Sequence, residues 1–119
     1  EKIRSCGAIA LATGDLESSL LVRDALPRDV DRADLVAKGG VGDITGHILD
    51  AQGELIDHAI NRRVIGVSLD DMTKIDNVIL AAGGLHKVPI LAAALRRGFV
   101  DTLVTDENTA VALLNYVDA

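Results

Sequence analysis

Lys87 closes the run Asn77-Val-Ile-Leu-Ala-Ala-Gly-Gly-Leu-His-Lys87, three residues after Gly84 and just before a second apolar run at 88–95. An apolar stretch that breaks at Gly83-Gly84 and resumes beyond a lysine has the pattern of a buried strand, a glycine turn and a helix start. The first backbone N–H groups of a helix lack partners within it and attract anions. Glycine allows a ligand close to the backbone, and a lysine adds a mobile positive charge. Phosphate or another small oxyanion is the natural guest. An ordinary strand-to-helix turn with a solvated lysine fits this segment equally well on its own.

Three other segments carry groups that could act with it. Thr13-Gly14-Asp15, the glycine-rich stretch at 39–43 ending in Gly42 and Asp43, and Thr105-Asp106-Glu107 all fall where strands are expected to end or turn. In open α/β sheets ligands sit at the carboxyl ends of the strands. If these segments converge, their carboxylates would accept sugar hydroxyls while Lys87 and the helix termini hold a phosphate. Asp43 reads equally as a turn-forming residue after glycine, and capping of the next helix is the favoured role for Asp106 and Glu107.

Signatures of catalysis and of metal binding are missing from the sequence. His47, His58 and His86 have neither the i, i+4 spacing nor the cysteine partners of a metal cluster, so no metal or other cofactor is expected. Cys6 reads as a small hydrophobe in the middle of a strand. No Gly-x-Ser-x-Gly elbow occurs, and no Gly-Lys-Ser/Thr follows the glycines at 39–42. An enzyme is therefore not expected.

The 119 residues are 49% hydrophobic but only 2% aromatic, which requires a core of Leu, Val, Ile and Ala. A net charge of −6 opposes direct contact with a nucleic-acid backbone. A single cysteine excludes an internal disulfide and suits a reducing cytoplasm. No long uncharged apolar run predicts a membrane partner.

The elements that must position these groups follow from the apolar pattern. Residues 3–13 predict a buried strand that exits through a turn at Gly14. A short helix at 20–26, capped by Ser18-Ser19 and stopped by Pro27, precedes a second at 28–37. Residues 39–42 predict a flexible link, 43–49 a strand by alternation, and 50–53 a turn into a short strand at 54–57, making a hairpin. A strand at 63–67 leads to a helix at 69–75 capped by Ser68. The remainder predicts regular βαβα: strand 78–82, helix 87–97, strand 102–105, helix 107–116. Strands alternating with helices imply a mainly parallel sheet with flanking helices, a Rossmann-like α/β fold with a β-hairpin excursion. Without a linker or repeat, residues 1–119 are expected to form a single domain.

Six segments in order resemble the effector-binding domain of the SorC family of bacterial sugar-responsive transcription regulators. They are Gly40-Val-Gly-Asp-Ile-Thr-Gly46, the Asp50-Ala-Gln-Gly53 turn, Arg63-Val-Ile-Gly-Val-Ser-Leu69, the run at 77–87, Ala93-Ala-Leu-Arg-Arg-Gly98 and Leu103-Val-Thr-Asp-Glu-Asn-Thr-Ala110. The resemblance implies a fold similar to sugar-phosphate isomerases and CoA transferases, used for sensing. It implies a phosphorylated sugar or polyol as ligand, with Asp43 and Lys87 in the site, Gly42, Gly83 and Gly84 beside them, and Arg23 as a phosphate contact. It also implies that DNA is reached only through a separate helix-turn-helix domain, that this chain is the C-terminal portion of an effector domain, and that it forms homo-oligomers. The rival expectation is a sugar-phosphate isomerase or deaminase-like enzyme on the same fold. Such an enzyme needs a placed general base; Asp43 is the one good candidate, and no acid–base partner for it is evident.

Overall fold

A computed structural model of the chain describes residues 2, 5–19 and 21–118, without the side chains of Val22, Arg23 and Asp118. Among the described residues six strands form two three-stranded sheets. Strands β1 (Ala8–Leu11), β5 (Asn77–Ala81) and β6 (Thr102–Val104) make a parallel sheet in the order β1-β5-β6. Strands β2 (Thr13–Asp15), β3 (Gly40–Ile44) and β4 (His47–Asp50) make an antiparallel sheet in the order β2-β3-β4. The α-helices that flank them are α1 (Arg32–Ala37), α2 (Ala59–Arg62), α3 (Leu69–Met72), α4 (Val88–Arg97) and α5 (Glu107–Asp118). The expected α/β architecture of a parallel sheet with flanking helices is observed; the hairpin lies at 40–50 instead of 43–57, and of residues 54–57 only Leu55 bridges back, to Leu49.

The second half of the chain follows its sequence pattern closely. β5 lies between β1 and β6, with Val78 and Leu80 fully buried, as expected of a central strand with few polar residues. α4 buries Val88 and an unbroken run from Ile90 to Ala94. It ends with Arg96 and Arg97 in the last turn and with Gly98 at φ 85°, where cations and a left-handed glycine both favour termination. Its apolar side joins Leu11, Val78 and Leu80 of one sheet to Ile44 and Leu49 of the other in one core. Leu16, Leu35, Ile48, Ile56 and Ile60 form a smaller second core.

The first half departs from expectation in five places. Thr13-Gly14-Asp15 is a strand, paired with 42–44, rather than an exit turn; after Ala12 the chain passes directly from one sheet to the other. The glycines at 40–42 are likewise inside a strand. The alternation at 43–49 hides a hairpin, because Thr45 (φ 50°) and Gly46 (φ 86°) reverse the chain in two residues of positive φ. Cys6 is exposed and precedes the first strand. Residues 63–67 are not a strand, and Ile65 is fully exposed at 100%.

Three further boundaries shift for identifiable reasons. Asp15 gathers the turn after β2, accepting from the amides of Glu17 and Ser18 and from the Ser18 hydroxyl at 2.8 Å. The helix beyond it is a short π-helical stretch, Leu21–Ala25; the expected start at residue 20, like the strand start at residue 3, lies outside the described residues. Asp31 caps α1 by accepting from the Ala33 amide, so that helix starts four residues later than expected. The expected Ser68 cap on α3 is present, accepting from the Asp71 amide at 3.0 Å.

Two glycines set how closely α4 approaches the antiparallel sheet. A Cβ at Gly42 would collide with the Gly14 carbonyl and stand 2.7 Å from Ile90 Cβ, and one at Gly53 would meet the Ala93 carbonyl and Arg97. Arg97 donates to the Gly53 carbonyl at 2.9 Å and pairs with Glu54 at 3.2 Å, fastening the same junction. Gly42→Ala is therefore expected to lower stability by about 1–3 kcal/mol through overpacking. Urea unfolding should show an earlier midpoint with an unchanged slope.

Candidate functional site

Where the two sheets meet, a cleft of about 590 Å³ opens against the end of β1, with β2, the residues after it, Asp43, Thr45, His86 and Lys87 as its walls. Each group arrives by a different route. β2 and β3 pair so that Gly14 faces Asp43, and a Cβ at Gly14 would stand 2.5 Å from Asp43 Oδ1 and from Ser19 Cβ. From the other sheet, β5 runs into a 3-10 turn, Leu85–Lys87, that delivers His86 and Lys87 to the cleft.

Asp43 is half-buried. Burial pushes its carboxyl above the ordinary carboxylate value, against the amide of Gly46 and the charge of Lys87, which pull it down; the nearby Asp15 pushes it further up. The Gly46 N–H donates to Asp43 Oδ2 at 3.2 Å, so the same residue steadies the hairpin turn. Asp15 behaves differently. Burial raises its carboxyl too, but the Ser18 hydroxyl and the amides of Ser18 and Glu17 together hold it below the usual value. The cleft thus contains one carboxylate engaged by its own loop and one held at an electrostatic cost. Among the described residues the Lys87 ammonium makes no hydrogen bond; its recorded interaction is the attraction to Asp43.

Of the residues singled out in the sequence, Asp43 and Lys87 share the cleft although 44 positions separate them. Gly42 lies behind it, buried against Ile90. Gly83 and Gly84 stand beside α5. A Cβ at Gly83 would come within 2.5 Å of the Asp106 carboxylate, and the Gly84 amide, at φ 115°, donates to Thr109 Oγ at 2.8 Å. Thr109 in turn donates its amide and its hydroxyl to Asp106, which caps α5 as its sequence position suggested. The Gly84 N–H is therefore committed within the fold. The side chain of Arg23 lies outside the described residues. Thr45 and His86 line the cleft as well; Thr45 sits in the two-residue hairpin turn, and His86 is exposed at its rim.

Among the described residues no group of three or more His, Cys, Asp or Glu side chains is placed to hold a metal ion, and no helix is long and apolar enough to cross a membrane. An open cleft at the carboxyl end of β1, with carboxylates on one side and a lysine on the other, defines a small-ligand-binding α/β domain.

Comparison with known proteins narrows that class. Residues 1–115 match the family described as "Putative sugar-binding domain". The deoxyribonucleoside regulator of Bacillus subtilis (strain 168) is 38% identical over 99 residues, 83% of this chain and 31% of that protein. The transcriptional regulator LsrR of Escherichia coli O139:H28 is 41% identical over 78 residues, 65% of this chain and 25% of that protein. The full-length sorbitol operon regulator SorC from Klebsiella pneumoniae shares the fold, with a TM-score of 0.82 at 23% identity, covering 93% of this chain and 36% of that one. The chain belongs to this family of sugar-binding domains, and the curated relatives it matches are named as regulators. It spans 25–31% of the length of the curated relatives it matches.

The raised carboxyl of Asp43 gives a signed expectation. A carboxylate whose folded pKa lies above its unfolded value favours folding below the unfolded value, and that contribution is lost as pH rises through the folded one. Asp43→Asn removes the charge and keeps an oxygen for the Gly46 amide. The variant should be at least as stable as the wild type at pH 7, with the advantage vanishing below about pH 4. Thermal unfolding between pH 3 and 8 checks the trend; His47, whose imidazole is pushed down chiefly by burial, lowers the stability of both proteins together below pH 6.5 and so cancels in the difference.

Proposed function

We propose that the cleft binds a phosphorylated sugar or polyol, and that this chain is the C-terminal portion of a regulator's effector domain. The observation that carries this reading is the meeting of Asp43 and Lys87 across one open cleft. A carboxylate accepts two sugar hydroxyls, and an ammonium with no hydrogen-bonded partner among the described residues suits a phosphate. A deoxyribonucleoside regulator and a sorbitol operon regulator among its relatives and structural neighbours support a sugar or polyol as the ligand class. Arg23 is a further candidate for the phosphate, with Gly42, Gly83 and Gly84 holding the surrounding backbone in place.

The domain acts by binding and not by catalysis, in the cytoplasm and without a cofactor. The isomerase-like alternative draws no support from relatives that are named as transcriptional regulators. Ligand binding changes the affinity of a separate helix-turn-helix domain for DNA, so residues 1–119 touch no nucleic acid themselves; the acidic net charge agrees with this. The ligand shifts the regulator between states only to the extent that it binds one of them better.

Two measurements test the proposal. Lys87→Ala should weaken binding of a sugar phosphate roughly tenfold or more, the equivalent of losing a charge-assisted bond of about 1.5–3 kcal/mol. Titration calorimetry against a panel of sugar and polyol phosphates reads this directly, and equal affinities for both proteins would remove Lys87 from the site. The chain should also self-associate. Val111, Leu114 (66% exposed) and Val117 form an exposed apolar stripe on α5, and such patches seek partners. Light scattering at micromolar concentration should report a dimer or larger; a monomer over a wide concentration range would contradict it.

A further inference from the structure

We infer that the hydroxyl of Thr13 is a ligand contact that helps set which sugar the cleft accepts, an inference that rests on the sugar-phosphate reading of the cleft. Thr13 stands in β2 between Ala12 and Gly14 and lines the cleft, yet it is only 8% exposed. Its Oγ1 is fully covered and has no hydrogen-bond partner among the described residues. Other hydroxyls around the site are engaged: Ser18 donates to Asp15 at 2.8 Å, Thr45 to the Ile44 carbonyl at 2.7 Å, and Thr109 to Asp106 at 2.8 Å. The cross-strand partner of Thr13 is Ile44, a fully buried hydrocarbon that offers its side chain nothing polar.

A buried hydroxyl without a partner opposes folding, and valine would fill the same space without that penalty. Nothing inside the unliganded fold requires oxygen at this position. The geometry makes sense if the partner comes from outside. A rotation of about 120° about the Thr13 Cα–Cβ bond moves Oγ1 into the place of the methyl or of the hydrogen and carries the methyl on to another staggered position. The inferred contact needs a side-chain turn of this kind, with the backbone of β2 unmoved. A hydroxyl both donates and accepts, so it matches a sugar hydroxyl in either sense. Discrimination follows from the same chemistry, because a ligand lacking that group leaves Thr13 unpaired in a buried setting.

The test compares the 119-residue chain with its Thr13→Val and Thr13→Ser variants. Ribose 5-phosphate, 2-deoxyribose 5-phosphate and sorbitol 6-phosphate serve as probes, read by thermal shift and calorimetry. Without ligand, Thr13→Val should melt at or above the wild-type temperature. Its affinity for the tightest probe should fall about tenfold, and Thr13→Ser should retain most of that affinity. Undiminished binding by Thr13→Val would overturn the inference while leaving the sugar-phosphate reading intact. So would a clear loss of stability in the unliganded variant, which would show the hydroxyl to be a structural partner. Failure of every probe to bind the wild type would overturn the sugar-phosphate reading and this inference with it.

Discussion

Helix α4 is buried against strands of both sheets, and the position of every group in the cleft depends on that contact. Its residues Ile90 to Ala94 form the middle of a core that takes Val78 and Leu80 from the parallel sheet and Ile44 and Leu49 from the antiparallel one. The helix begins at Val88, so Lys87 is fixed by its first turn. The face of β3 that packs on it, at Gly42, is the reverse of the face that presents Asp43. One packing contact therefore sets the separation between the Lys87 ammonium and the Asp43 carboxylate. Small residues make it possible: Ala92, Ala93, Ala94, Gly42 and Gly53 let backbone approach backbone, where a single added methyl must displace its neighbours.

The cleft trades stability for readiness. Asp43 is held where burial disfavours its charge, and Thr13 keeps a covered hydroxyl that the fold leaves unpaired. Asp15 and Asp106, by contrast, have their carboxylates satisfied by neighbouring amides and hydroxyls and serve the backbone. Groups that are costly when the site is empty are the ones a ligand can relieve, and such costs concentrate at functional sites. Binding energy gained in this way is also energy available to shift a regulator from one state to another.

Much of this was legible in the sequence, and unevenly so. The βαβα half could be read because each element carries its own punctuation: the apolar strand at 77–81, Pro89 in the first turn of α4, Arg96-Arg97-Gly98 at its end, and Asp106 capping α5. The first half resisted because its signals are ambiguous at short range. Thr13-Gly14-Asp15 has the composition of a turn and becomes a strand only through its partner at 42–44. Thr45 reverses the chain at a positive φ that is uncommon for threonine, so a hairpin looks like one alternating strand. Asp43 and Lys87 could each be nominated locally, whereas the burial of Thr13 beside the cleft follows from the pairing of β2 with β3, which no local pattern reveals.

The most direct test of the account is an amide NMR titration of the chain with a sugar phosphate that binds it. The account requires the perturbed resonances to cluster at residues 10–19, 43–46 and 86–87, the walls of the cleft, with the exposed face of α5 largely silent. Perturbations centred on α5 or on the loop at 63–67, with the cleft unmoved, would contradict it.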